Sequence, residues 1–181
     1  MPEGSPPSGR EQARRRFTVA DALTLLRLPL AALFVAVPDT GWRLAVLVIA
    51  GATDLLDGFL ARWLGGSRLG SFLDPVADKL FMAAAFGVVA FSGRLDWYEI
   101  AGVLARDAVA TIAFVVTAVS GRPTAIPARL GGKAVTVCQM LTLIAFVVGS
   151  PLLRPLAWAT GAIALYAIWD YSRAAGARRR L

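Results

Sequence analysis

Six long apolar runs constrain this chain more than any other feature. They span residues 20–37, 42–60, 72–91, 97–120, 134–149 and 152–171. A run of about 18 or more apolar residues reads as a membrane-spanning helix, because roughly 20 residues rising 1.5 Å each cross the hydrocarbon layer of a bilayer. The fifth run is the shortest. Of the 181 residues, 57% are hydrophobic and only 17% charged, which is more apolar than a soluble domain of this length. The expected fold is an all-α integral membrane protein, a six-transmembrane-helix bundle with little chain outside the membrane and no internal repeat.

Charge sets the expected orientation, since Lys and Arg concentrate on the cytoplasmic side. Assigning connections alternately from the N-terminus puts thirteen basic residues on one side (Arg10, Arg14, Arg15, Arg16, Arg62, Arg68, Arg122, Arg129, Lys133, Arg173, Arg178, Arg179 and Arg180) and three on the other (Arg43, Arg94 and Arg154). Both termini are therefore expected in the cytoplasm, as an even helix count requires. Residues 1–16 read as a polar, disordered, basic tail, residues 17–172 as the helical domain, and residues 173–181 as a second basic tail. No cleaved signal peptide is expected, because no short apolar core ending in a cleavage site follows the basic stretch. The net charge of +7 suits an anionic membrane leaflet. A nucleic-acid partner is not expected, because the basic residues flank apolar runs and form no separate domain.

The chain has one cysteine, Cys138, and no histidine. An internal disulfide, His-based general-base chemistry, phosphohistidine intermediates and the usual zinc sites are thereby excluded. Any catalysis must use carboxylates, hydroxyls, basic residues or a metal held by oxygen.

Carboxylates occur where lipid is expected. The stretch DLLDGFLARWLGGSRLGSFLDPVADK, residues 54–79, holds four of the twelve acidic residues. Asp54 and Asp57 are spaced i, i+3; Asp74 and Asp78 are spaced i, i+4. On a helix these spacings separate side chains by roughly 60° and 40° around the axis, so each pair shares a face. A short turn joins the two runs, and helices so joined usually pack antiparallel. Four converging carboxylates repel unless protons or cations intervene. Hard divalent cations prefer oxygen ligands, and four carboxylates suggest two such ions. Gly58 and Ala61 lie on the face of Asp54 and Asp57 and leave space for a ligand, and Arg62 is placed to meet a phosphate. Taken singly, each Asp could instead cap a helix or pair with Arg62, Arg68 or Lys79, and Asp74-Pro75 has the form of a helix start.

The pattern Asp54-x-x-Asp57-Gly58-x-x-Ala61-Arg62, then Gly70-x-x-x-Asp74-x-x-x-Asp78, resembles the signature of the CDP-alcohol phosphatidyltransferases. These are six-helix membrane enzymes of phospholipid synthesis. The segment between Arg62 and Gly70 has seven residues where the family usually has eight, which bears on Gly70 more than on any Asp. The resemblance implies transfer of the phosphatidyl group of CDP-diacylglycerol to an alcohol hydroxyl, with release of CMP. It implies that Asp54, Asp57, Asp74 and Asp78 hold two divalent cations, Mg²⁺ or Mn²⁺, and that Asp78 is also the general base. Gly58 and Ala61 would admit the cytidine, Arg62 would face the diphosphate, and Asp54 and Gly70 would complete the nucleotide site. It further implies a homodimer in a bacterial-type inner membrane, with the active site facing the cytoplasm.

The opening helix resembles the family pattern Asn-x-Leu-Thr-x-x-Arg, with Asp21 in place of Asn and with Leu23, Thr24 and Arg27 in their places. The segments VLARDAVA and LGGKAVTVCQM resemble phosphatidylglycerophosphate synthases and CMP-forming cardiolipin synthases. Either acceptor, glycerol 3-phosphate or phosphatidylglycerol, carries a phosphate. The expected cationic pocket is Arg106, Arg129 and Lys133. Against this, Arg106 could pair with a metal-site Asp or with Asp107 of another chain, and Arg129 and Lys133 could be cytoplasmic-side anchors. Asp170 has no expected role. An intramembrane prenyltransferase would need more helices and longer Asp-rich motifs. A divalent-cation transporter would want acidic residues through the full membrane depth.

Overall fold

The computed structural model describes residues 19–64, 70–119 and 130–178; a few side chains at the helix ends bordering the remaining segments are outside this description. Among the described residues the secondary structure is entirely helical: α1 (Val19–Ala36), α2 (Thr40–Leu64), α3 (Gly70–Phe91), α4 (Trp97–Val119), α5 (Leu130–Val147) and α6 (Leu153–Arg178). The tails at residues 1–16 and 179–181 fall outside the described residues. The six helices coincide with the six apolar runs to within a few residues at most ends. The main differences are at the ends. Residues 173–178 continue α6, an Ala- and Arg-containing segment with no proline to stop it. Helix α3 begins at Gly70, so Asp74-Pro75 lies more than one turn inside it and Asp74 does not cap its start.

Among the described residues, no helix is long and apolar enough to cross a membrane. Charged residues interrupt the helices themselves: Asp21 and Arg27 in α1, Asp54 and Asp57 in α2, Arg106 and Asp107 in α4. The six-helix expectation therefore stands, while membrane crossing does not follow from the helices alone.

The chain divides into two compact units, residues 1–85 and 86–181, with the boundary inside α3. In the first unit α1 packs along α2. The inward face of α1 carries Asp21, Thr24, Arg27, Leu30, Ala31 and Phe34, all buried, while Leu26, Leu28, Leu33 and Val35 are exposed. Polar residues thus share the buried face with apolar ones while leucine and valine lie outside, unlike a helix on a water-soluble protein, whose exposed side is polar. Phe34 anchors the far end of α1. Its ring lies 6.3 Å from that of Phe81 on α3. The guanidinium of Arg43 sits 5.3 Å above the same ring and donates through Nε to the Phe34 carbonyl at 3.2 Å. This carbonyl is in the last turn of α1, where no helical N–H follows to bond it. Asp39 caps α2 by accepting from the Trp42 N–H at 2.9 Å.

In the second unit α6 packs against both α4 and α5, which touch each other sparingly. The α4 and α6 backbones approach closely at Gly102 and Gly161, where a methyl group on Gly161 would stand 3.6–3.8 Å from the Gly102 backbone. Small residues allow such backbone approach between helices. Between α5 and α6, Val135 packs against Ala164 and Ala167. One turn beyond Gln139, the buried hydroxyls of Thr142 and Thr160 meet at 3.1 Å. At the start of α4, the Glu99 side chain reaches back to the helix entry, where its Oε2 accepts from the Asp96 N–H at 2.8 Å. The α5 terminus is closed by Gly149 at φ 70°, a left-handed conformation that glycine adopts without strain. Arg94 repeats the Arg43 device: it donates to the Phe146 carbonyl at 2.8 Å and lies 5.4 Å from that ring.

Candidate active site

All four carboxylates of the 54–79 stretch belong to the first unit, two on α2 and two on α3. The helices run unbroken through both pairs, so the i, i+3 and i, i+4 spacings place Asp54 with Asp57, and Asp74 with Asp78, on common faces. Asp54 is 46% exposed and forms an ion pair at 2.9 Å with Arg27 of α1, whose side chain is only 2% exposed. Asp78 is half-buried beside the buried Ala77. Asp57, Gly58, Ala61 and Arg62 follow on α2, and Gly70 and Asp74 stand on the first turns of α3; their side chains lie outside the described residues.

Among the described residues, no group of three or more Asp, Glu, His or Cys could hold a metal ion. Two of the four expected ligands are not in that set. The donors fit a hard divalent cation in kind, being carboxylate oxygen throughout. Asp54 fits in posture as well: its Arg27 contact is made from the protein interior, and its outer surface stays accessible.

Of the expected acceptor cations, Arg106 is half-buried on α4 and Lys133 is exposed in the first turn of α5; Arg129 lies outside the described residues. Arg106 pairs with Asp107 of its own chain, Nη1 to Oδ1 at 2.8 Å. The other oxygen of Asp107 accepts from Gln139 Nε2 at 2.6 Å. Gln139 Nε2 also donates to the Val103 carbonyl at 2.9 Å.

Two participants escaped the sequence reading. Arg27 matched a motif position but was given no partner; the spacing Asp21, Thr24, Arg27 is a helical polar face, and it was the available signal. Gln139 stands as the one large polar side chain in the middle of the apolar α5, a buried amide that has to be answered.

A family model described as CDP-alcohol phosphatidyltransferase matches residues 17–169. The chain is 36% identical over 142 residues to a Mycobacterium tuberculosis protein named "Putative cardiolipin synthase", covering 76% of this chain and 64% of that one. It is 34% identical over 139 residues to the CDP-diacylglycerol–glycerol-3-phosphate 3-phosphatidyltransferase of Pectobacterium atrosepticum, covering 72% of this chain and 76% of that one. The enzyme of the same name from Escherichia coli is 34% identical over 137 residues, covering 71% and 75%. The match thus spans less than two thirds of the mycobacterial relative's length and about three quarters of the other two.

Proposed function

The chain belongs to the CDP-alcohol phosphatidyltransferase family, and from that premise we propose that it transfers the phosphatidyl group of CDP-diacylglycerol to the hydroxyl of a phosphate-bearing alcohol. The preferred acceptor is glycerol 3-phosphate, giving phosphatidylglycerophosphate and CMP. The observation that carries the reading is the set of four carboxylates at helical spacing on consecutive helices, with Asp54 held by a buried arginine and still accessible.

Asp54, Asp57, Asp74 and Asp78 would hold two divalent cations, Mg²⁺ or Mn²⁺. Ions so bound supply charge neutralisation of the diphosphate and of the departing phosphate oxygen. The chain's residues do the remainder. Asp78 accepts the proton of the acceptor hydroxyl as that oxygen bonds to the phosphorus carrying diacylglycerol, while the bond from that phosphorus to CMP breaks. Gly58 and Ala61 leave room for the cytidine, Arg62 faces the diphosphate, and Gly70 lets the chain approach the nucleotide. Arg106, Arg129 and Lys133 bind the acceptor phosphate, a contact strengthened by charge on both partners. Holding hydroxyl and phosphorus in line converts an encounter into a positioned reaction.

We place the domain, residues 17–172, in the membrane with both termini cytoplasmic, as a dimer in a bacterial inner membrane. Three observations support insertion. The outward surface of α1 is leucine and valine while its polar residues face inward. Large apolar side chains stay exposed on the other helices too, among them Val48, Leu55, Phe91, Ile112 and Leu165. On α6, Arg154 and Arg173 are separated by about 28 Å of helix, close to the thickness of a hydrocarbon core. The three arginines on the sparse side of the charge count are all engaged within the protein: Arg43 and Arg94 at helix C-termini, and Arg154 with Asp96 at 3.2 Å.

A second reading, cardiolipin synthesis with phosphatidylglycerol as acceptor, is favoured by the mycobacterial relative. An acceptor screen with glycerol 3-phosphate, phosphatidylglycerol and inositol phosphate decides between the two. CMP release that responds to glycerol 3-phosphate supports the first; release that responds only to phosphatidylglycerol replaces it with the second.

A further inference from the structure

We infer that Gln139 and Asp107 are positioning residues that fix the guanidinium of Arg106 for the acceptor phosphate; this rests on the reading of Arg106 given above. Neighbouring residues on a helix point about 100° apart and do not ordinarily face each other. Arg106 and Asp107 nevertheless pair at 2.8 Å, which requires the long arginine side chain to swing around α4 toward the carboxylate. The place where the guanidinium comes to rest is thus set by where that carboxylate is held.

Gln139 holds it. The carboxamide nitrogen has two hydrogens, and both are used: one on Asp107 Oδ2 at 2.6 Å, the other on the Val103 carbonyl at 2.9 Å. Two acceptors on one side fix which end of the amide faces them, since the flipped amide would set oxygen against oxygen. Val103 precedes Asp107 by one helical turn, so the side chain of α5 references the carboxylate to the α4 backbone. Gln139 is 1% exposed and cannot exchange these bonds for water. Both carboxylate oxygens are then engaged, one by a neutral amide and one by the guanidinium, and Asp107 is oriented without its charge being cancelled by a second cation. The Arg106 side chain remains 22% exposed, enough for an anion to reach it.

The plain alternative is a structural tie between α4 and α5. The protein contains a control for it. Thr142 and Thr160 form a buried polar tie of the same general kind between α5 and α6, which bonds neither Gln139 nor Asp107. The experiment is steady-state kinetics on the full chain in detergent, varying glycerol 3-phosphate and CDP-diacylglycerol in turn, with thermal melts on every variant. If the wild type uses phosphatidylglycerol, that acceptor is varied instead. Gln139→Leu is expected to raise the apparent KM for the acceptor roughly three- to tenfold, with kcat and the KM for CDP-diacylglycerol little changed. In the Arg106→Ala background the same change adds nothing further to the acceptor KM, because what it positions is gone. Thr142→Val lowers the melting temperature and leaves the acceptor KM alone. Should Gln139→Leu fail to fold, Asp107→Asn carries the same expectations. The inference is overturned if the acceptor KM stays at the wild-type value, if the effect persists in full beside Arg106→Ala, or if Thr142→Val reproduces it. An unaltered acceptor KM in Arg106→Ala itself overturns the reading of Arg106, and the positioning role with it.

Discussion

Two arginine–aspartate pairs of almost equal length face opposite ways. In Arg27–Asp54, at 2.9 Å, the arginine is buried and the carboxylate is half exposed. In Arg106–Asp107, at 2.8 Å, both groups are half-buried, and the carboxylate is clamped on its second oxygen by Gln139. The first pair presents an acid to its surroundings and keeps the cation as internal support. The second uses up its acid internally and keeps the guanidinium within reach. An acid so presented suits a cation, and a guanidinium so presented suits a phosphate. Contact distance alone would not separate the two pairs; the burial of Arg27 in the first and the Gln139 bond to Asp107 in the second do.

The largest test of this contrast removes the presented acid. Asp54→Asn, Asp57→Asn and Asp74→Asn should each lower CMP release by orders of magnitude while the protein still inserts and purifies, since each change keeps the size of the side chain and removes its charge. Turnover near the wild-type rate in all three would reduce Asp54 to the same internal role as Asp107. A smaller loss is expected for the proton acceptor. Asp78→Asn should cost about 10²–10⁴-fold in transfer, with CDP-diacylglycerol binding still measurable; transfer that survives the change moves the base elsewhere.

The presented guanidinium is the next step down. Arg106→Ala and Lys133→Ala should raise the acceptor KM by about tenfold or more, in line with roughly 1.5–3 kcal/mol for a charge-assisted contact, and leave the KM for CDP-diacylglycerol nearly unchanged. A rise in both would place these cations on the lipid substrate. The smallest effect concerns the frame that holds the second pair. Gly161→Leu forces a bulky side chain against the Gly102 backbone, and overpacking of this kind costs about 1–3 kcal/mol. A melting curve should show the loss, and unchanged stability would mean that α4 and α6 stand farther apart than the glycine contact indicates.

Much of this was legible in the sequence. The six helices follow the apolar runs because nothing else in the chain is long and apolar enough to form them. The two carboxylate pairs were visible because i, i+3 and i, i+4 are local spacings that a helix turns directly into a shared face. The α6 terminus was missed because the apolar signal ends near Tyr171 while helix-forming residues continue to Arg178. Asp74-Pro75 imitates a helix start, but α3 already begins at Gly70. The partners of Arg27 and Arg106 were not legible for different reasons. Arg27 finds Asp54 on another helix, which no local spacing reports. Arg106 finds Asp107 one residue away, against the geometry of a helix surface, because Gln139 comes from thirty-odd residues downstream to hold it.

The central claim is that the acid presented by the first unit works with a bound divalent cation to move a phosphatidyl group. Its most direct test is CMP release by the purified full chain from CDP-diacylglycerol plus glycerol 3-phosphate, measured with Mg²⁺ and again after chelation. The account predicts release that depends on the acceptor, vanishes on chelation and returns with Mg²⁺ or Mn²⁺. Release that continues undiminished in chelator, or no release with any phosphate-bearing acceptor, would contradict it.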